Sequence, residues 1–128
     1  MIYLDSSVAL AHLFAEGRSP EPALWREPQI SSRLLEYELW NRAHARRLAG
    51  PYVDAARALI AQVTLVELAP AVLARALQPL PVSVGSLDGL HIATIEFLRG
   101  RGHSIELASY DNRQLSCARA LGIAIVPL

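Results

Sequence analysis

The chain has 128 residues, of which 52% are hydrophobic, and this predicts a single domain over residues 1–128 with a sizeable core. The formal net charge is zero, which excludes a strongly basic nucleic-acid-binding protein, so that any basic surface must be local. The first residues lack a basic segment, and no apolar run reaches the roughly 18 residues of a membrane span. We therefore expect a cytoplasmic protein that makes no contact with a membrane.

Short apolar runs with β-branched residues predict strands, and they alternate with segments of helical periodicity. In chain order, the prediction is a strand at 2–4, helices at 6–16 and 20–26, a strand at 29–31, helices at 32–49 and 51–62, a strand at 63–68, helices at 70–78 and 86–99, a strand at 104–108, a helix at 112–121 and a strand at 123–126. This alternation predicts an α/β fold with a parallel sheet and right-handed crossovers.

Asp5 directly follows the first predicted strand, and Ser6 after it is predicted to cap the next helix. In open α/β sheets, ligands bind at the carboxyl ends of the strands. The local context supports two interpretations of Asp5 equally. It is either a turn residue ahead of the helix cap, or an oxygen ligand that points into a cleft.

Glu38 lies within the predicted apolar stripe of the helix at 32–49, whereas Glu36 lies on the opposite side and should face water. The members of the stripe are Leu34, Leu35, Ala45 and Leu48. A buried acid is costly unless it is paired or bound to a metal ion. One interpretation is therefore an ion pair with an arginine such as Arg42. The other, which we favour, is a ligand or other functional role.

Asp88 and Asp111 each stand where a helix is predicted to begin. Ser86 is the predicted cap ahead of Asp88, whose charge also suits the helix dipole. His91, one turn later, is interpreted as a hydrogen-bonded core residue rather than a metal ligand. Asp111, with Gln114 three residues later, resembles a capping box. A capping role does not exclude a role as a metal ligand, because a carboxylate has two oxygens.

The residue types favour one kind of metal chemistry. Cys117 is the only cysteine, so no intrachain disulfide is possible, and the histidines show no zinc spacing. Acids without a Cys or His cluster suit a hard cation such as Mg²⁺ or Mn²⁺. A glycine-rich phosphate loop is missing, which argues against nucleoside-triphosphate hydrolysis. The residues alone therefore predict an acidic metal site.

Four segments contain these acids in order. They are Leu4-Asp5-Ser6-Ser7, Ser32-Arg33-Leu34-Leu35-Glu36-Tyr37-Glu38, Leu87-Asp88-Gly89-Leu90-His91-Ile92-Ala93, and Ser109-Tyr110-Asp111 with Ala120-Leu121-Gly122-Ile123. Together they resemble the PIN-domain ribonucleases, and among them the VapC-type toxins of bacterial toxin–antitoxin pairs. The resemblance covers essentially the whole chain.

The resemblance implies a parallel five-stranded sheet sandwiched between helices. It also implies a catalytic and metal-binding set at one sheet edge, formed by Asp5, Glu38, Asp88 and Asp111, with Ser6 as a supporting residue. The implied reaction is cleavage of RNA that depends on Mg²⁺, with Mn²⁺ as an alternative. A metal-activated water would attack a backbone phosphate and leave a 5′-phosphate and a 3′-hydroxyl.

The implied partners are an RNA substrate, a cognate antitoxin and a second copy of the chain, as a homodimer or within a toxin–antitoxin hetero-oligomer. A second stripe on the long helix is interpreted equally as part of a partner groove or as packing against the helix at 51–62. It consists of Tyr37, Trp40, His44 and Arg47. The candidate phosphate contacts are Arg42, Arg46, Arg47, Arg99 and Arg101, although for any one of them we favour an ordinary solvated position on the surface. The alternatives to an RNA-cleaving toxin are a catalytically silent RNA- or protein-binding module and a metal-dependent nuclease that acts on DNA.

Overall fold

The computed structural model describes residues 1–14 and 17–128. Its strands are β1 (Ile2–Leu4), β2 (Gln29–Ser32), β3 (Val63–Val66), β4 (Glu106–Ala108) and β5 (Ala124–Ile125). Its helices are α1 (Ser6–Phe14), α2 (Leu34–Ala45), α3 (Pro51–Gln62), α4 (Pro70–Ala76), α5 (Ser86–Gly100) and α6 (Asn112–Ala120), and a 3₁₀ helix covers Pro22–Arg26. The predicted continuation of α1 through Glu16 lies outside the described residues.

The five strands form one parallel sheet in the order β3-β2-β1-β4-β5, so that β1 is the central strand. Ile2 is paired with Gln29 on one side and with Glu106 on the other, and Leu4 is paired with Ala108. The predicted α/β fold, with a parallel five-stranded sheet between helices, is confirmed.

Successive residues of β1 point to opposite faces of the sheet and enter two separate cores. Ile2 and Leu4 pack with residues of α1, α2 and α3, whereas Tyr3 packs with residues of α5 and α6. The lone cysteine, Cys117, is buried in the second core. Because helices cover both faces of the sheet, β1 is apolar throughout. In the described part of the chain, every helix is too short or too polar to cross a membrane.

Helix α2 is shorter at both ends than predicted. Ser32 belongs to β2, where it is paired with Val66, and its Oγ accepts a hydrogen bond from the backbone N–H of Leu34 (3.1 Å). At the other end, Arg47 adopts a left-handed φ of 52°, and the N–H of Leu48 donates to the carbonyl of Ala43 (2.9 Å). This is a Schellman motif, which ends the helix before Gly50 does. Ala45 is exposed and is not part of the buried stripe.

The start predicted for the helix at 20–26 is wrong, and so is the cap predicted for α5. The 3₁₀ helix begins at Pro22 and not at residue 20, and Glu21, which has an extended backbone, directly precedes it. Helix α5 is preceded by Gly85 in an extended conformation, so Ser86 is already helical and does not cap. Strands β3, β4 and β5 are each shorter than predicted. None of these differences moves a predicted acid off the sheet edge.

Candidate active site

Asp5 lies at the carboxyl end of the central strand, where its N–H donates to the carbonyl of Ala108 (3.0 Å). Its side chain is buried, and its Oδ2 accepts hydrogen bonds from the N–H (3.0 Å) and the Oγ (2.5 Å) of Ser7 and from the Oγ of Ser109 (3.3 Å). Asp5 therefore caps α1. The predicted cap, Ser6, is wrong, because Ser6 is itself helical and its hydroxyl is used elsewhere.

Glu38 projects from α2 towards Asp5, and its side chain is only 12% exposed. Its Oε2 accepts a hydrogen bond from the Oγ of Ser6 (2.8 Å), and its Oε1 lies 2.5 Å from the Nε2 of His91. Both oxygens therefore have polar partners, which is what a carboxylate on the core side of a helix requires. Ser6 is thus joined to Glu38 by a hydrogen bond, and its predicted supporting role stays a prediction.

His91 is completely buried and joins the two sides of the site. Its Nδ1 lies 2.7 Å from the hydroxyl of Tyr3, and its Nε2 lies 4.0 Å from Oδ1 of Asp5. Burial lowers the pKa of His91, but the hydrogen bond with Glu38 and the charge of Asp5 outweigh it, and the pKa is raised. The interpretation of His91 as a hydrogen-bonded core residue is confirmed.

Asp88 lies in the first turn of α5 and is half-buried. Its pKa is raised to about 6, first by burial and then by the negative charges of Asp5, Asp111 and Glu38, while His91 acts in the opposite direction. In the described part of the chain, no group donates a hydrogen bond to Asp88. Among the four predicted acids, Asp88 is thus the one whose negative charge is least stabilised by hydrogen bonds.

Asp111 is the N-cap of α6, as predicted. Its Oδ1 accepts a hydrogen bond from the N–H of Gln114 (2.9 Å), and its own N–H donates to the Oγ of Ser109 (3.0 Å). The other half of the predicted capping box is wrong. The Gln114 side chain does not return to Asp111, because its Nε2 donates to Oδ1 of Asp5 (3.2 Å). Gln114 therefore connects Asp111 to Asp5.

Sequence reasoning missed Ser7, Ser109 and Gln114 as members of the site. For Gln114 a signal was present: it is a buried amide on the same face of α6 as Cys117 and Ala118. A polar residue on an apolar stripe needs a partner, as Glu38 does. For the two serines, we find no sequence signal beyond their position next to an acid.

The raised pKa of Asp88 leads to a prediction for the metal-free protein. Because the folded pKa is above the ordinary value of 3.8, Asp88 stabilises the fold most below pH 3.8, and this contribution is lost as the pH rises through about 6. Carboxyl-carbon NMR should show Asp88 titrating near pH 6, and Asp111→Asn should lower that pKa. Asp54→Asn, at an exposed position on α3, should leave it unchanged. Titration near the ordinary value of 3.8 would contradict this arrangement.

The carboxylates of the site are of the chemical type that suits a hard divalent cation. Among residues 1–14 and 17–128, no group of three or more Asp, Glu, His or Cys side chains is already arranged to hold a metal ion. Burial raises the pKa of Asp88, and the negative charges of Asp5, Asp111 and Glu38 raise it further. A cation would relieve this repulsion, and carboxylate oxygens are the ligands that Mg²⁺ prefers.

Of the predicted phosphate contacts, Arg42 is placed beside the acids. It lines a cleft of about 270 Å³ together with Ser7 and Asp111. Arg99 is engaged elsewhere, since its Nη1 donates to the carbonyl of Leu121 (2.9 Å) and lies 3.3 Å from a carboxylate oxygen of Glu96. We infer that Arg99 stabilises the contact between α5 and α6.

A parallel five-stranded sheet between helices, with acids gathered around the end of its central strand, is a PIN-like domain. Among curated proteins, the chain is similar to Ribonuclease VapC46 of Mycobacterium tuberculosis (strain H37Rv), with 31% identity covering 98% of this chain and 95% of the relative. It is also similar to Ribonuclease VapC35 of Mycobacterium tuberculosis (strain CDC 1551), with 29% identity covering 98% and 96%. No protein-family model matches the chain. At this identity and coverage, the chain belongs to the VapC-type PIN-domain ribonucleases.

Proposed function

We propose that this protein is a metal-dependent endoribonuclease and the toxin of a type II toxin–antitoxin pair. The main support is the grouping of the acids at one sheet edge: burial raises the pKa of Asp88 to about 6, and the negative charges of Asp5, Asp111 and Glu38 act in the same direction. The ribonuclease names of its relatives support the same activity. The proposed reaction adds water across a P–O3′ bond, so that one product carries a 5′-phosphate and the other a 3′-hydroxyl.

The residues that would hold Mg²⁺, or Mn²⁺ in its place, are Asp5, Glu38, Asp88 and Asp111. Asp5 and Asp88 are the direct ligands that we favour, whereas Glu38 and Asp111 could act through water. Bound Mg²⁺ supplies a water of lowered pKa and stabilises charge on the leaving oxygen.

The protein's own contribution is to hold the carboxylates in place. Ser7, Ser109 and Gln114 all donate hydrogen bonds to Asp5, which fixes the orientation of its carboxylate. His91 performs this role for Glu38, whose Oε1 lies within hydrogen-bond distance of the imidazole Nε2. Such fixed groups need no rearrangement when the substrate arrives, which is the basis of electrostatic preorganisation.

We further propose a cognate antitoxin and a homodimer as the protein partners. The second stripe on α2 is interpreted either as packing against α3 or as part of a partner groove, and its residues differ in this respect. Trp40 packs towards α3, with the guanidinium carbon of Arg57 5.7 Å from its ring centroid. Tyr37 is 57% exposed and offers a large apolar surface to a partner. This exposed aromatic side chain supports α2 as part of a protein interface.

The proposed function is tested by measuring cleavage of matched single-stranded RNA and DNA panels with and without metal. We expect RNA to be cut with Mg²⁺ or Mn²⁺, to be left intact in excess EDTA, and to be cut again when Mg²⁺ is restored. Products should carry 5′-phosphates. Cleavage that persists in EDTA would contradict the metal requirement. Cleavage of DNA alone would identify a DNA nuclease, and saturable RNA binding without any cleavage would identify a silent binding module.

A further inference from the structure

Two neighbouring clefts beside the acids share one wall, which is formed by Arg18 and Tyr110. The first cleft, of about 270 Å³, reaches Asp111. The second, of about 210 Å³, is also lined by Asn112 and Arg119. Because both clefts are lined by Arg18 and Tyr110, they are adjacent.

The shared wall is a pair of side chains in contact. The guanidinium carbon of Arg18 lies over the ring of Tyr110, 4.6 Å from its centroid, which is a cation–π contact. Arg18 is exposed, so part of its guanidinium group remains accessible. In the part of the chain that the structure describes, no carboxylate forms an ion pair with Arg18 or Arg119. Their charges are therefore available to an anion.

The position of this pair relative to the acids is fixed by a short hydrogen-bond path. The N–H of Tyr110 donates to the Oγ of Ser7 (3.0 Å), and the same Oγ donates to Oδ2 of Asp5 (2.5 Å). Tyr110 also immediately precedes Asp111, the cap of α6. A ligand on the Arg18–Tyr110 pair would therefore lie next to the carboxylates.

We propose that the Arg18–Tyr110 pair binds one nucleotide of single-stranded RNA beside the phosphate that is cut. A base stacks on the planar guanidinium that the tyrosine ring supports, and Arg18 and Arg119 contact the flanking phosphates. Bases of single strands are recognised by stacking on aromatic rings and on arginine planes, and phosphates by arginine. An acidic peptide would use these charges but not the stacking plane. This inference rests on the proposed ribonuclease function.

Binding is measured in an Asp5→Asn background, which prevents cleavage, by fluorescence anisotropy with a short labelled single-stranded RNA of mixed sequence. We expect Arg18→Ala and Tyr110→Ala each to weaken binding about 10-fold, the order of one stacked base. Tyr110→Phe keeps the ring and should bind like the parent. Arg18→Ala should also reduce the slope of log affinity against log salt by about 0.7, the share of one phosphate contact on a single strand. Tyr110→Ala should leave that slope unchanged.

Arg26→Ala is the matched control, because Arg26 is exposed at the end of the 3₁₀ helix and lines neither cleft. Its affinity should stay within about 2-fold of the parent, and an equal loss in this variant would overturn the proposal in favour of general charge attraction. Unchanged RNA affinity in both Arg18→Ala and Tyr110→Ala would also overturn the proposal. This holds even if the same two variants no longer bind a protein partner. If the wild type cuts RNA in that case, the ribonuclease function stands without this subsite. If the wild type does not cut RNA, the proposed function is wrong. The binding data then still show whether the Arg18–Tyr110 pair binds RNA.

Discussion

Asp5→Asn is expected to reduce RNA cleavage at least about 100-fold, the order of cost for removing one preorganised charged or polar group from a catalytic site. Asp5 is the buried acid at the end of the central strand, and its charge acts on both Asp88 and His91. Its Oδ1 accepts one hydrogen bond, from Gln114, and the proposed metal ion would bind at the second lone pair of this oxygen. Asparagine removes this charge without a change of size.

The fold should survive this substitution. The remaining oxygen can still accept the N–H of Ser7 and keep the cap of α1. The new amide nitrogen would face Gln114, whose Oε1 is buried without a hydrogen-bond partner among the described residues. If the Gln114 amide rotates by 180°, its Oε1 can accept a hydrogen bond from the new amide nitrogen. We therefore expect a melting temperature close to that of the wild type, with cleavage lost.

The measurement compares purified wild type, Asp5→Asn and Asp54→Asn on the same RNA panel with Mg²⁺, and compares their effect on growth when they are expressed in cells. Asp54 is exposed in the first turn of α3, so Asp54→Asn removes the same charge away from the site. It should cut RNA and arrest growth like the wild type. Equal cleavage by wild type and Asp5→Asn would show that Asp5 is not catalytic, or that the activity comes from a contaminant.

Local patterns were sufficient for the fold class and for the capping role of Asp111. The strands are buried on both faces, so short apolar runs mark them clearly, and their alternation with helices leaves a parallel sheet as the simple solution. Asp111 could be predicted as a cap because its partner is the N–H of Gln114, only three residues away. Each of these signals lies within a few residues of the feature that it predicts.

The connections between the acids could not be predicted, because they depend on sheet pairing between distant parts of the chain. Gln114 reaches Asp5 over a separation of 109 residues, and Ser109 does so over 104. Both contacts exist only because β4 pairs with β1. The end of α2 was missed for another reason: Arg47 takes the left-handed position that usually belongs to glycine, so no residue type marks it.

Loss of His91 should have the second large effect, and mainly on stability. His91→Ala removes a fully buried ring and leaves the hydroxyl of Tyr3 and the carboxylate of Glu38 without their shared partner. A new cavity and a broken buried pair each typically lower the free energy of unfolding by about 3–5 kcal/mol. Because the two effects overlap here, we expect the total loss to be about 3–5 kcal/mol. Glu38 would also lose one of its two positioning hydrogen bonds, so cleavage should fall in the molecules that remain folded.

Urea unfolding at several pH values separates the shape of His91 from its hydrogen bonds. His91→Phe fills most of the space but cannot bond to Tyr3 or Glu38, whereas the control His103→Ala changes an exposed histidine and should cost little stability.

Because the folded pKa of His91 is raised, its protonation stabilises the wild type fully below pH 6.5, and this contribution is lost as the pH rises through the folded pKa. The difference between wild type and His91→Phe should therefore narrow at alkaline pH. A difference that is independent of pH would mean that His91 acts as a neutral hydrogen-bonding imidazole, and not as the charged partner of Glu38.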